Sequence, residues 1–534
     1  MVPLAGGGRR RRAPPLRVGG PGANVRGTLP RRLALVPFDS LAAVDLGSNS
    51  FHLQVGRVVD GQIYLLDSLR EPVRLAGGLT RDRRIDRATQ LRALEALARF
   101  GERLRGFPPA AVRAVGTNTL RVAKNAPQFI EDAQAALGFP IEVVFGREEA
   151  RLIYVGVSHG LPPASHRRLV IDVGGGSTEF IVGTGYEPEL MESLPMGCVG
   201  YSMRFFPDGK IEKSGLKKAE LAASNEIERI AREFRRAGWK EAVASSGTAK
   251  ALAAVLAHNG WCEGGEITGD GLDRLRAQMI KAGDVDRLDA LGVRGDRAPI
   301  LPGGLAIMLA AFAGLGLESV QVSEAALRQG VLYDLLGRVQ HHDMREMTVR
   351  QFVRRYHVDG AQGERVRALA LQLLGALAER AREADLLLLG WAAALHEIGL
   401  SIAHAAYHKH SAYILSNADM PGFSRDEQAR VARVVLAHRG KLAKIEGLPA
   451  RSPDWALVFC LRVAALFYRS RVELELPRIG ARATDSGYQL SVSAAWLDAH
   501  PLTAAALEAE AEEWRNVGLR FDVRAQAERA RAAG

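Results

Sequence analysis

Two short stretches combine the residue types that handle phosphate. Asp45-Leu46-Gly47-Ser48-Asn49-Ser50 and Asp172-Val173-Gly174-Gly175-Gly176-Ser177-Thr178-Glu179 each place an aspartate at the end of an apolar run, then glycine, then hydroxyls. Glycine removes the side chain, so backbone N–H groups can come close to an anion. Ser48, Ser177 and Thr178 add donors. Asp172 and Glu179 put negative charge where phosphate would lie, and a divalent cation between carboxylate and phosphate resolves that conflict. Aligning Val44 with Ile171 superposes Asp45 on Asp172, Gly47 on Gly174, Ser50 on Ser177, Val55 on Val182 and Gly56 on Gly183. One such loop is compatible with an ordinary glycine-rich hairpin, whereas two at matching points predict duplicated halves with a cleft between them. A chain of phosphates in that cleft would meet N–H groups from both walls. Hydrolysis needs a polarised water, and Glu148, Glu149 and Glu179 are the candidate carboxylates to act on it. Neither glycine turn holds a cysteine or histidine, so a covalent phosphoenzyme is not expected.

The elements that must position these groups are legible around them. Apolar runs flank both loops, Ala42–Val44 and Leu53–Val59 for the first, Arg168–Ile171 and Phe180–Val182 for the second, so each loop is read as a hairpin tip. Val112–Gly116 runs into Thr117-Asn118-Thr119, and Val243–Ser245 into Ser246-Gly247-Thr248, each a strand entering a hydroxyl-rich turn and a helix. Strand Ile141–Val144 leads to Glu148-Glu149. Strands alternating with helices give an α/β fold. From Arg338 the texture changes to long helical patterns, and near Tyr488–Ser493 strand alternation returns. The expected division is a disordered arginine-rich head at 1–39, α/β domains at 40–151 and 152–337, a helical domain at 338–475 and a small α+β domain at 476–534.

Composition narrows the class. A length of 534 residues suggests three or four domains at about 150 residues each. Three separated cysteines, Cys198, Cys262 and Cys460, exclude a disulfide framework and a thiolate zinc site, and fit a reducing compartment. The longest apolar runs, Gly303–Leu317 and Leu386–Leu395, fall short of the roughly 18 residues a membrane helix needs. The net charge of +11 is misleading. Without the eight arginines and one aspartate of residues 1–39, 71 basic and 60 acidic residues fall to 63 and 59, a net of +4. The folded part therefore carries no strong field for nucleic acid.

Seven segments, in order, resemble the exopolyphosphatase / guanosine pentaphosphate phosphatase family: Val44–His52, Gly116–Arg121, Glu148–Ile153, Asp172–Glu179, Met196–Val199, Ser246–Thr248 and Ala326–Leu332. Likeness continues through Trp391–Leu400 and His408–Leu415. The resemblance implies a duplicated actin/hexokinase-like (ribonuclease H-like) core, an HD-like helical domain and a small α+β domain. It implies Glu149 as the catalytic carboxylate acting on water and Glu179 as a second glutamate needed for activity. Asp172, with Glu149, is implied to hold Mg²⁺, and potassium is a candidate stimulatory ion. Phosphate binding is implied for Asp45, Gly47, Ser48, Asn49, Gly174, Gly175, Gly176, Ser177 and Thr178, with Thr117, Asn118, Arg121, Ser246, Gly247 and Thr248 lining the same cleft. Lys409, His410 and Arg439 would extend the path for a long polyanion. His396-Glu397 departs from the His-Asp pair of a working HD site, so His396, His404, His408, His410 and His438 are not expected to hold a catalytic metal. Ser323-Glu324-Ala325 departs from the usual Ser-Asp-Gly.

The implied activity is Mg²⁺-dependent release of terminal orthophosphate from inorganic polyphosphate. The alternative within the family is removal of the 5' γ-phosphate of guanosine pentaphosphate. A non-catalytic sensor or a sugar-kinase-like enzyme would share the fold, but a sensor should have lost Glu149 or Glu179 and a kinase needs a nucleoside pocket. The expected state is a cytoplasmic homodimer, peripheral to the inner membrane face at most, with no specific nucleic-acid partner.

Overall fold

The computed structural model describes residues 38–526, apart from 60, 163, 263–264, 340–342, 378–380 and 446. All but the last two residues of the expected disordered head lie outside that range. Five strands form the first sheet: β1 Ser40–Leu46, β2 Phe51–Val59, β3 Gln62–Glu71, β4 Val112–Gly116 and β5 Ile141–Val143, in the order β3-β2-β1-β4-β5. Six form the second: β6 Arg167–Val173, β7 Thr178–Thr184, β8 Glu187–Leu194, β9 Glu241–Ser245, β10 Glu266–Thr268 and β11 Ser319–Val322, in the order β10-β11-β9-β6-β7-β8. From its other edge the second sheet repeats the first. An antiparallel trio is followed by two strands parallel to its innermost member, and the second sheet adds β10 antiparallel at its far edge. The repeat extends to a register shift, between Val55 and Gly56 in one trio and between Val182 and Gly183 in the other. These are positions the sequence alignment superposes, and such a bulge re-aims the strand beside a functional turn. The duplicated pair of sheets is the expected actin/hexokinase-like core.

The inner strands are buried on both faces, which is why β6 reads as a continuous apolar run. The second lobe fills its core with helices Lys213–Ala237 and Leu301–Leu315. Another cluster joins the lobes: Val115 and Val170 from the two sheets meet Leu152 of helix Gly146–Gly160 and Leu332 of helix Leu327–Val339. Those two helices touch backbone to backbone, and a Cβ added to Gly330 would lie 1.7 Å from the Leu152 carbonyl oxygen. The boundary expected between residues 151 and 152 therefore falls inside one continuous helix. That helix carries Glu148 and Glu149 in its first turn and packs its body against the last helix of the second lobe.

Helices Met344–Arg355, Gly360–Leu377, Glu383–Leu395, Tyr407–Asn417, Arg425–Ala437 and Asp454–Phe467 build the helical region. The terminal sheet, β12 Gly480–Thr484, β13 Gly487–Ser493 and β14 Arg520–Gln526, packs on it, and Leu490, Val492, Trp514 and Phe521 share one apolar cluster with Phe459 and Val463. Two stretches, Ala298–Leu315 and Glu383–Ser401, reach the length and hydropathy of a membrane span. The flanking turns continue the apolar runs counted in the sequence. In each, 67% of the window is buried inside the protein, as in a core helix.

Candidate active site

The β1–β2 and β6–β7 turns face each other. A Cβ on Gly175 would sit 3.1 Å from the Ser48 Cβ and 3.3 Å from the Asn49 nitrogen, so only glycine lets the two turns meet without displacement. Between them lies a cavity of 310 Å³, also lined by Asp45, Thr117, Glu149, Asp172 and the Ser246–Thr248 turn. Among the described residues, the amides of Gly47, Ser48, Asn49, Gly175 and Gly176 donate to no protein acceptor. The turns are instead anchored through other groups. Gly174 N–H donates to the Ser177 carbonyl at 2.9 Å, the carbonyls of Gly174 and Gly175 accept from Cys198 and Val199, and Thr119 Oγ1 donates to Ser48 Oγ at 2.8 Å. Two opposed sets of free, rigidly held N–H groups form an anion nest. The third turn is strained: Ser246 has φ 94, a left-handed conformation costly for a residue with a Cβ, and its Oγ accepts from the amides of Thr248 and Ala249.

Four carboxylates crowd this cavity. Asp45 and Asp172 end the matched inner strands, and Glu179 pairs with Asp172 across the β6–β7 hairpin. Glu149 comes from the first turn of helix Gly146–Gly160, where the helix dipole favours an acid. Burial, opposed by Arg328 but reinforced by Glu149 and Asp172, raises the Asp45 carboxyl to about 7. Burial and Glu149 raise Asp172 to about 6 against a hydrogen bond from Ser245 Oγ. Burial, Glu149 and Asp172 push Glu179 well above the usual carboxylate range. Asp45 Oδ1 is buried without a hydrogen-bond partner. Among the described residues Glu149 alone of the four makes an ion pair: Arg121 Nη1 donates to its Oε2 at 2.6 Å and to the Val144 carbonyl at 3.1 Å. His52, opposite Asp45 on β2, is held neutral by burial and by Arg328 and Arg70, at about 3, with both ring nitrogens unpartnered.

Residues 54–339 match the Ppx/GppA phosphatase family, and residues 344–511 match Ppx/GppA phosphatase, domain III. The chain belongs to the Ppx/GppA phosphatase family. Relatives from Aeromonas hydrophila and Vibrio parahaemolyticus, both named guanosine-5'-triphosphate,3'-diphosphate pyrophosphatase, are 37% identical to it. The first aligns over 89% of this chain and 97% of its own length, the second over 89% and 96%. Among solved structures, an exopolyphosphatase from Cytophaga hutchinsonii superposes with a TM-score of 0.51 at 24% identity, over 57% of this chain and 98% of its own, which speaks to the fold.

Within this Ppx/GppA cleft the structure redistributes several expected roles. Asp45, Gly47, Ser48, Asn49, Thr117, Gly174, Gly175, Gly176, Ser177, Ser246, Gly247 and Thr248 line the cavity, with Asp172 and Glu149. Thr178 does not, because its hydroxyl is turned inward and donates to the Met196 carbonyl at 2.6 Å. Arg121 is not a free phosphate donor, because it is committed to Glu149. Asn118 lies behind Gly176, where its Oδ1 would be 2.6 Å from an added Cβ. Glu179 sits beneath the cavity, 1% exposed and accepting from Ser193 Oγ at 2.7 Å. Glu148, a candidate base by sequence, is bound by Arg151 and by the Gly422 amide of the helical region. Reading by sequence missed the cations on the cavity wall, Arg70, Lys250, Arg297 and Arg328. Arg328 sits inside the Ala326–Leu332 segment and Lys250 two residues past Ser246–Thr248, and both could have been found there. Arg297, beside Gly247 in space, has no local signal.

Lys409, His410 and Arg439 are outside the cavity, and Arg439 stacks over the Tyr407 ring at 5.2 Å. His396, His408 and His438 pack together, with ring centroids 5.2 Å and 6.2 Å from His438. Among the described residues no group of three His, Cys, Asp or Glu is placed to hold a metal by itself.

Proposed function

We propose that the chain removes the terminal 5' phosphate of guanosine 5'-triphosphate 3'-diphosphate by hydrolysis. The observation that carries phosphoanhydride hydrolysis is the pair of opposed turns whose N–H groups are unpaired, with Glu149 aimed into the space between them. The nucleotide is chosen over the polyphosphate expected from sequence because the 37% identical relatives bear that name over nearly their whole length. Phosphate oxygens would replace the missing acceptors of the Gly47–Asn49 and Gly175–Gly176 amides. Arg328, Arg297 and Lys250 would offset the rest of the charge. Glu149, oriented by Arg121, would take the proton of a water attacking the terminal phosphorus, and the bridging P–O bond would break with its electrons on the departing diphosphate. Burial and the neighbouring Glu149 and Asp172 favour the protonated form of Glu179, which lowers the charge around the cleft.

The donor set fits Mg²⁺, because Asp45 Oδ1 is a buried carboxylate oxygen with no partner. Asp45 and Asp172 are the residues to hold it, rather than Glu149, whose charge is already paired with Arg121. Two carboxylates with substrate phosphates and water complete the shell such an ion prefers, and the bound ion would neutralise charge on the phosphate oxygens.

Polyphosphate is the second reading, favoured by one observation: among the described residues no Phe, Tyr or Trp lines the 310 Å³ cavity, whose wall is mostly glycine, hydroxyl and charged groups with His52 as its ring. The deciding measurement is phosphate release, with Mg²⁺, from the pentaphosphate and from long polyphosphate, using Glu149→Gln as control. Release from the nucleotide that the variant lacks is expected. Release from polyphosphate alone would replace the first reading with the second.

A further inference from the structure

The phosphate cavity has no wall for a base, yet a larger cavity of 720 Å³ opens beside it between the same two lobes. Asn49, at the tip of the first turn, lines both. Arg74 and Arg92 line the second cavity from the first lobe, and Met203, Phe206 and Ile300 from the second lobe. The two cavities are linked by a basic edge. Arg70 lines the phosphate cavity and also a neighbouring hollow it shares with Arg74, Arg92 and Asp296.

The chemistry of this second cavity is bipartite. On one side, Arg74 is fixed by its backbone, with φ 54 and its amide donating to the Asn49 carbonyl at 2.7 Å. A non-glycine residue in that left-handed region is held against its preference, and such positions cluster at ligand sites. Arg92 is steadied by Thr89 Oγ1 at 2.8 Å. Among the described residues neither Arg74 nor Arg92 makes an ion pair, whereas Arg70 makes one, to Asp296 at 3.2 Å across the lobes. With both partners more than a third exposed, that bridge is weak enough to be exchanged for phosphate. On the other side, Met203 is half exposed and, with Phe206 and Ile300, gives a polarizable apolar wall of the kind a purine covers.

We propose that this cavity holds the purine nucleoside 3'-diphosphate end of the substrate, with the 3'-diphosphate on Arg74 and Arg92 and the base against Met203, Phe206 and Ile300. The ribose then lies at Asn49 and Arg70, and the 5' phosphates continue into the anion nest. The assignment rests on the nucleotide reading above and extends it. It explains how a cleft without a base pocket distinguishes a nucleotide from polyphosphate.

The test compares guanosine pentaphosphate, GTP and long polyphosphate as substrates for the whole chain and for Arg74→Ala/Arg92→Ala, two exposed positions whose loss should not disturb folding. In the wild type, pentaphosphate should have a lower KM than GTP. In the double variant that advantage should disappear, with KM for pentaphosphate rising about tenfold or more while kcat/KM for GTP and polyphosphate is unchanged. Met203→Glu should raise KM for both guanosine nucleotides and leave polyphosphate alone. Equal losses on all three substrates, or an unchanged pentaphosphate KM, would overturn the assignment. Calorimetric titration with guanosine 5'-diphosphate 3'-diphosphate separates the two readings. If the enzyme releases no phosphate from pentaphosphate, the proposed activity fails. The cavity assignment stands only if this ligand still binds the wild type and not the double variant.

Discussion

Glu148 and Glu149 are adjacent in one helical turn and belong to opposite electrostatic worlds. Glu149 faces the cleft, where Asp45, Asp172 and Glu179 are buried near one another and, among the described residues, make no ion pair, and their carboxyls are driven upward. Glu148 faces away, into a junction where Arg113, Arg151 and Arg338 meet Glu142, Glu148 and Asp334. There Arg113 Nη1 lies 2.6 Å from Asp334 Oδ2, Arg151 bridges Glu148 and Asp334, and despite burial the Asp334 carboxyl is held far below the usual range. Both places are buried. What differs is compensation: the junction carboxylates are each met by arginines, whereas in the cleft Glu149 has Arg121 and Asp45 Oδ1 has no partner, which leaves the cleft poised for a ligand that brings its own charge. The junction also joins the helical region to the site. The Gly422 amide binds Glu148, Asp419 pairs with Arg147 at 2.6 Å, and Arg425 donates to the Arg121 carbonyl.

That contrast can be broken by substitution. The largest effect is expected at Glu149, where Glu149→Gln should cut phosphate release by about 100- to 10,000-fold with little change in melting temperature. Glu148→Gln should do the reverse, lowering the melting temperature while the protein that stays folded keeps most of its activity. Similar profiles for the two variants would erase the distinction.

Next in size is the junction. Asp334→Asn leaves arginines buried without their counter-charge and should cost about 3–5 kcal/mol in denaturant unfolding. Because the folded Asp334 carboxyl is depressed, its contribution is present above the unfolded value of about 4 and lost as pH falls further, so the variant and wild type should converge in acid. In the cleft the sign inverts. Asp45 is raised from 3.8 to about 7, so the folded state binds the extra proton between those values and stability falls as pH rises through them. Asp45→Asn should therefore raise the melting temperature of metal-free protein at about pH 8, lose that gain at about pH 4, and abolish activity throughout. A loss of stability at the higher pH would show that the carboxylate is compensated after all.

The smallest effect belongs to the helical region, where burial lowers His396 and His438 and brings His408 to about 4. These rings are neutral when folded, so stability should be full above about 6.5 and decline as pH drops below it, and His438→Gln should shallow that decline.

Much of this was visible in the chain. The 127-residue offset between the loops was legible because a strand–turn–strand motif is local, and it survives in the structure down to the matching register shifts at Gly56 and Gly183. The lobe boundary was misread because helix Gly146–Gly160 has an uninterrupted periodicity while serving both halves. Thr178 and Arg121 were misassigned because sequence gives a residue's type and not its direction. Thr178 points inward from β7, and Arg121 finds Glu149, 28 residues on.

By itself, then, the sequence determined the two phosphate turns, the duplication and the reservoir of acids, since turn chemistry and strand period depend on neighbours along the chain. Only the tertiary structure decided which of two adjacent glutamates is free to react, which arginines face the cleft and where a second cavity opens. Those outcomes depend on desolvation and on charges brought together from distant segments, and neither has a signature in local order.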